Sequence, residues 1–264
     1  MSAGARERAA DVALYVYGIV PAGALDEPLG AGVAPGPVTS VEQDRLAALV
    51  SEVPLADYDE HALETNLRDP HWLERNVRAH EAVLESVAGR MPLVPFRFGT
   101  IFRGEESVRR MLGERADLVQ TLERLADAVE LGVKGFLDAR GGHGGSSEAA
   151  GGRESGRAYL QRKQAALDAE REASALATEL ARESHERLAA VAADARANAL
   201  QPPEASPAGE AMFLNGAYLV VRGGEQAFRG TVDGLGRAFA ARGARYEVTG
   251  PWPAYNFVDE PVGP

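Results

Sequence analysis

The chain of 264 residues contains no cysteine. That removes disulfides, thiolate metal sites and cysteine nucleophiles together, and it suits a reducing cytoplasm. Lysine is nearly missing as well: Lys134 and Lys163 are the only two, and every other basic side chain is an arginine. The formal net charge is −11, which argues against nonspecific attraction to nucleic acid or anionic membrane. No window approaches the ~20 apolar residues that a membrane-spanning helix needs. The start of the chain has the outline of a signal peptide, with Arg6 and Arg8 ahead of an apolar run and then PAGAL. Asp11 opens that run, however, and VALYVYGIV is β-branched and tyrosine-rich, so it reads as a buried first strand.

The usual carriers of chemistry are scarce too. The histidines are His61, His71, His80, His143 and His185, and no two have metal-ligand spacing on one face. HERLA at 185 begins like a zinc-protease helix but has alanine where the second histidine belongs. There is no GxxxxGK[ST], and the glycines of 141–152 lack the GxGxxG spacing of a dinucleotide loop. No GxSxG occurs, and Ser146 and Ser147 lie in a glycine-rich linker where a nucleophile would be poorly held. Nothing calls for a cofactor or a metal, and there is no positive case for catalysis.

What is present is a regular alternation of strands and helices. Residues 12–20 form the first strand. A hairpin follows in VTSVEQDRLAALVSEV, with its turn near Gln43 and Asp44. Asp69 and Pro70 read as the cap and first residue of a helix. In that helix Leu73, Val77, His80, Leu84 and Val87 form one apolar stripe. A second helix starts after Gly104 with Glu105 and Glu106, and its stripe runs from Val108 through Met111, Leu112, Leu118, Val119 and Leu122 to Leu125. VELGVKGFLDA is a strand, and 140–156 a Gly/Ser-rich loop. Residues 157–200 are rich in Ala, Glu and Arg with sparse leucines. They read as a long helix or a helical pair broken near Ser184 and His185, either a solvated arm or a docking element. AMFLNGAYLVV and RYEVTG are strands around a helix marked by Phe228, Val232, Leu235 and Phe239. The expectation is an α+β protein of two domains, 1–125 and 126–264. The second is ferredoxin-like, enlarged by the extra long helical segment 157–200.

The most apolar run, MPLVPFRFGTIF at 91–102, holds Arg97 between Phe96 and Phe98. Strand alternation places Val94, Phe96 and Phe98 on one face and Leu93, Pro95 and Arg97 on the other. Two prolines make it an edge strand or a strand start. Arg97 then reads as a structural clamp for a carboxylate or for helix C-terminal carbonyls, with an anion-binding or catalytic role as the competing possibility.

LYVYGIVPA, PLVPFRFGTIF, GRAYLQRKQ, NGAYLVV and GPWPAYNFV occur in this order from about Leu14 to Val258. Together they resemble the gas vesicle protein family GvpF/GvpL. The resemblance implies two α+β domains and a non-enzymatic, cytoplasmic accessory protein of gas vesicle assembly. It further implies binding to the hydrophobic wall subunit GvpA, and to other gas vesicle accessory proteins, during nucleation or growth of the shell. Alternatives are a minor structural component of the shell, or an enzyme with an anion site at Arg97. F-type and L-type members are not separated by these motifs. Phe96, Arg97, Phe98, Tyr159, Lys163, Trp252 and Tyr255 are the candidate partner contacts, with core packing as the competing role for each.

Overall fold

Burial on both faces accounts for the uninterrupted apolar run near the start of the chain. The computed structural model describes residues 12–138, 156–202 and 210–258. Arg6, Arg8, the glycine-rich loop with His143, Ser146 and Ser147, and the stretch 203–209 lie outside the described residues. Contacts divide the chain into one unit of residues 1–129 with 252–264 and another of residues 130–251. The reading from sequence drew the border after residue 125 and kept the C-terminal segment with the second half.

In the first unit, β1 (Val12–Pro21) is buried along nearly its whole length. It pairs antiparallel with β4 (Leu46–Pro54), and β4 with β3 (Pro37–Gln43). The hairpin turns at Asp44, which takes the left-handed backbone (φ 54°) that aspartate tolerates. The short strands β2 (Leu29–Ala31), β5 (Val94–Pro95) and β6 (Ile101–Phe102) complete a six-stranded sheet, with β5 and β6 both on β1. The register of β1 slips between Val16 and Gly18. A Cβ on Gly18 would sit 2.7 Å from Leu93 Cδ1 and from Val94 O, so glycine permits the close approach of β5.

Helices α1 (Leu55–Tyr58), α2 (Glu60–Asn66) and α3 (Pro70–Ala88) follow the hairpin. Asp69 caps α3 by accepting from the His71 N–H, with Pro70 at the first helical position. The buried face of α3 is Asn76, His80, Val83, Leu84 and Val87. Leu73 and Val77 of the expected stripe are only half-buried. The stripe expected from Val108 to Leu125 is carried by two helices, α4 (Glu105–Glu114) and α5 (Asp117–Leu125). The chain bends at Arg115, whose guanidinium turns onto Asp117 at 2.9 Å.

The strand expected over Leu93 to Phe98 shrinks to Val94 and Pro95. Leu93, Val94, Pro95 and Phe96 are all buried, so two-face alternation does not describe them. After Phe96 the chain leaves β1 in a turn built on Gly99, in the left-handed region at φ 86°. Two contacts with β1 hold that turn: Gly99 N–H donates to Tyr15 Oη at 3.1 Å, and Val16 N–H donates to Thr100 O at 2.9 Å.

Tyr15 and Tyr17 bring their hydroxyls into the core, and each finds a partner. Tyr15 Oη lies 2.8 Å from His80 Nδ1 and Tyr17 Oη 2.8 Å from Ser51 Oγ. Val33 N–H donates to Tyr17 Oη at 2.9 Å. Tyr58 donates to Asn76 Oδ1 at 2.8 Å, and Asn76 Nδ2 back to Trp72 O at 2.8 Å. Phe98 and Trp72 close the cluster edge-on. Tyr15 Oη accepts from Gly99, and we assign it as the donor to His80 Nδ1. That leaves the imidazole proton on Nε2, facing the Phe96 main chain without a hydrogen bond of good geometry among the described residues. Burial pushes the His80 pKa down to about 4, with the Phe96 main chain opposing the shift, and raises the tyrosine hydroxyls, Tyr58 to about 12.

The second unit runs β7 (Ala128–Asp138), α6 (Gly156–Ala189), β8 (Asp194–Ala197), β9 (Glu210–Val221), α7 (Glu225–Phe239) and β10 (Ala244–Trp252). Its sheet has the order β10-β7-β9-β8. The helical segment is one helix, unbroken at Ser184 and His185. Both residues are anchors instead: Ser184 Oγ meets Tyr246 Oη at 2.6 Å, and His185 Nδ1 meets Tyr218 Oη at 3.0 Å. The helix stops at Ala189, and residues expected as its continuation form β8 along β9.

Two outcomes test this account of the first unit. Native His80 stays neutral where the unfolded side chain titrates, so stability is retained above pH 6.5 and lost as pH falls toward 4, by about 3 kcal/mol in all. Denaturation curves at pH 7 and 4.5 are expected to show that loss in the wild type and much less of it in His80→Gln; equal losses contradict the assignment. Gly99→Ala places a side chain in the left-handed region and is expected to cost about 1–2 kcal/mol in the same assay.

Candidate partner-binding surfaces

The seven residues singled out from sequence separate into buried and exposed groups. Phe96 is fully buried, and Phe98 is half-buried against Tyr15, Trp72 and His80. Both are core side chains. Their conspicuous place in the sequence reflects the turn they flank. Arg97 between them is exposed, and its guanidinium makes no hydrogen bond or ion pair with any described residue. The clamp expected from sequence is therefore corrected. At the point where the chain leaves β1, alternation ends and Arg97 points to solvent, while its carbonyl accepts from Thr100 Oγ1 at 2.8 Å.

The C-terminal segment lies on the first unit. Ala254, Phe257 and Val258 are buried, and Arg124 of α5 donates to Phe257 O. In the same segment Trp252 and Tyr255 remain 42% and 36% exposed. Tyr255 Oη donates to Glu81 Oε1 at 3.0 Å. Burial raises the Glu81 carboxyl, the bond from Tyr255 opposes that, and Glu85 adds to it. Phe98 and Tyr255 thus meet the same turn of α3, through His80 and Glu81 respectively.

Tyr159 and Lys163 stand on the second unit, in the first half of α6. Here the helix is exposed nearly all round. From Gln161 to Asp168 every residue is exposed, and Tyr159, Leu160 and Leu167 are 55%, 64% and 41% accessible. Arg157, Arg162 and Lys163 are charged, and no acid occurs before Asp168. This half is supported by its own side chains, with Gln164 and Arg171 both bonded to Asp168. The second half is anchored by buried Leu180, Ser184 and Leu188, and by the Arg242–Glu179 pair at 3.0 Å. At 1.5 Å per residue, the exposed part from 157 to 168 is about 18 Å long.

Two grooves lie elsewhere. One of about 390 Å³ in the first unit has Pro21, Pro92, Val119 and Leu122 in its walls, with the Arg45–Glu123 pair across it at 2.8 Å. The other, about 590 Å³ in the second unit, runs between Arg229, Asp233, Arg237 and Tyr246. Arg97 lines neither. Among the described residues no group of three His, Asp or Glu side chains is placed to hold a metal ion, and no helix is long and apolar enough to cross a membrane.

Residues 13–259 match the family model described as gas vesicle synthesis protein GvpL/GvpF. Gas vesicle protein L of Streptomyces sp. (strain CB03234) is 34% identical, over 92% of this chain and 91% of its own length. Gas vesicle protein F of the same strain is 30% identical, over 93% and 99%. The crystal structure of GvpF from Anabaena sp. PCC7120 superposes with a TM-score of 0.67 at 23% identity, covering 94% of this chain and 97% of that one. GvpF from Microcystis aeruginosa gives a TM-score of 0.64 at 22% identity. Fold, length and sequence agree: the chain belongs to the GvpL/GvpF family of gas vesicle synthesis proteins.

Proposed function

We propose that the chain is a non-enzymatic assembly factor that binds the hydrophobic wall subunit GvpA, and other gas vesicle accessory proteins, during nucleation or growth of the shell in the cytoplasm. One observation carries the reading. A member of a gas vesicle synthesis family holds Tyr159, Leu160 and Leu167 in solvent on a basic helical stretch. Exposed aromatic and apolar side chains on a rigid helix are the usual anchors of helix-in-groove recognition. A wall subunit that polymerises through apolar surfaces needs such contacts shielded or presented in register. The β-α-β-β-α-β order of the second unit also supports reading it as ferredoxin-like, with α6 lengthened for this purpose.

The test is capture of the wall subunit by the purified chain at micromolar concentration. Wild type is expected to bind. Tyr159→Ser combined with Leu160→Ser is expected to keep stability within about 0.5 kcal/mol, since both side chains are exposed, while weakening capture about tenfold or more. Failure of the wild type to capture any gas vesicle protein removes the assembly reading. Undiminished capture by the double variant moves the contact off α6. Arg97→Ala is expected to leave stability within the same limit, by denaturant melt. A loss above about 1 kcal/mol would restore the structural clamp.

A further inference from the structure

α7 of the second unit carries a row of charges that alternate in sign. Glu225, Arg229, Asp233 and Arg237 follow one another at intervals of four residues. That spacing sets neighbours about 6 Å apart along one ridge of the helix. The sheet is met by a different face, Phe228, Val232, Leu235 and Phe239. Glu225 and Arg229 are half-buried, and Asp233 and Arg237 are exposed. None of the four side chains makes an ion pair or hydrogen bond with a described residue. Elsewhere on the chain charges at this spacing do pair, Arg78 with Glu74 and Arg182 with Glu186. Arg229, Asp233 and Arg237 also line the groove of about 590 Å³ between α7 and Tyr246 and Val248 of β10. Glycine leaves the adjoining surface bare: a Cβ added at Gly230, Gly234 or Gly236 would meet nothing within 4 Å. All of α7 and β10 lies within 210–258, which is described without a break.

We propose that α7 docks on α7 of a second copy of this chain, antiparallel across a two-fold axis. Charge selects both the occupant and the register. An alternating row with an even number of members is its own complement when turned end for end. Glu225 then faces Arg237 of the partner subunit, Arg229 faces Asp233 of the partner subunit, and the two-fold repeats both pairs. A slip of one helical turn, or a parallel pairing in register, sets like charges together. α4 of the first unit carries a shorter row, Glu106, Arg110 and Glu114. With three members, that row turned end for end meets itself like on like. Ridges of this i,i+4 kind run alongside each other when two helices cross at about 50°, and the glycines let the axes approach. The contact rests largely on charges near solvent, so it is weak and loosened by salt. It is isologous and closes as a dimer. It concerns the second unit alone and does not depend on the function proposed above.

The test is sedimentation of the purified chain, with no wall subunit present. At low salt the wild type is expected to show a concentration-dependent dimer, weakened about tenfold or more by about 0.5 M salt. Arg229→Glu sets acid against acid across the axis, and Asp233→Arg sets arginine against arginine. Each alone is expected to weaken the dimer about tenfold or more. Mixed one to one, the two variants complement each other at every contact, and the dimer is expected to return. Recovery on mixing separates a lost contact from a lost fold, and circular dichroism checks each variant directly. Arg110→Glu changes the net charge as Arg229→Glu does but lies on α4, and it is expected to leave the dimer unchanged. The proposal is overturned by a wild type that stays monomeric up to about 100 μM, or by assembly that continues past the dimer. A dimer indifferent to both α7 reversals, a loss not recovered on mixing, or equal weakening by Arg110→Glu overturns it as well.

Discussion

Two tyrosine hydroxyls on a strand with no solvent face set the terms for the first unit. β1 carries Tyr15 and Tyr17 into the core, where an unpaired hydroxyl would cost about 1–3 kcal/mol of what burial of its ring contributes. Each hydroxyl must therefore recruit partners, and those partners come from distant parts of the chain. His80 is brought from α3, Ser51 from β4, Val33 from the loop before β3 and Gly99 from the turn after β5. The hydrogen bonds thereby specify how α3 and the turn at 96–100 sit on the sheet, which apolar packing alone specifies less sharply. The stretch around Arg97 is conspicuous because of this constraint. Its glycine serves the turn, its threonine and phenylalanines serve the core, and its arginine is what the turn leaves outside.

The second unit solves the opposite problem. The C-terminal half of α6 is held by Leu180, Ser184 and Leu188 on the sheet, while the described side chains of the other half are largely exposed. An isolated helix of that length is marginal in water, so its persistence depends on alanine-rich propensity, i,i+4 pairs and continuity with the anchored half. A partner that covers Tyr159, Leu160 and Leu167 would supply the missing packing. The two units thus divide the labour: one is a closed polar-aromatic core, the other a sheet with an exposed helix.

Much of this was legible in the chain. The first strand, the hairpin turn at Asp44 and the Asp69–Pro70 helix start rest on local signals that the tertiary structure reinforces. Two features were not legible. Residues 190–200 read as helix because alanine dominates them, yet pairing with β9 holds Asp194–Ala197 as a strand; edge pairing overrode local propensity. Arg97 read as a clamp because alternation was carried through a residue that lies in a turn. The signal that would have corrected it is Gly99, whose left-handed backbone ends the strand. Among the candidate contacts, the sequence offered the right residue types but could not separate the buried Phe96 from the exposed Tyr159. Burial depends on which elements pack together and not on local composition.

Amide hydrogen exchange, measured with and without the wall subunit, tests this division most directly. The account predicts that β1 amides exchange slowly in both states, while amides of 157–168 exchange fast in the free chain and slow down in the complex. Fast exchange in β1, or protection that appears on binding anywhere except the exposed half of α6, would contradict it.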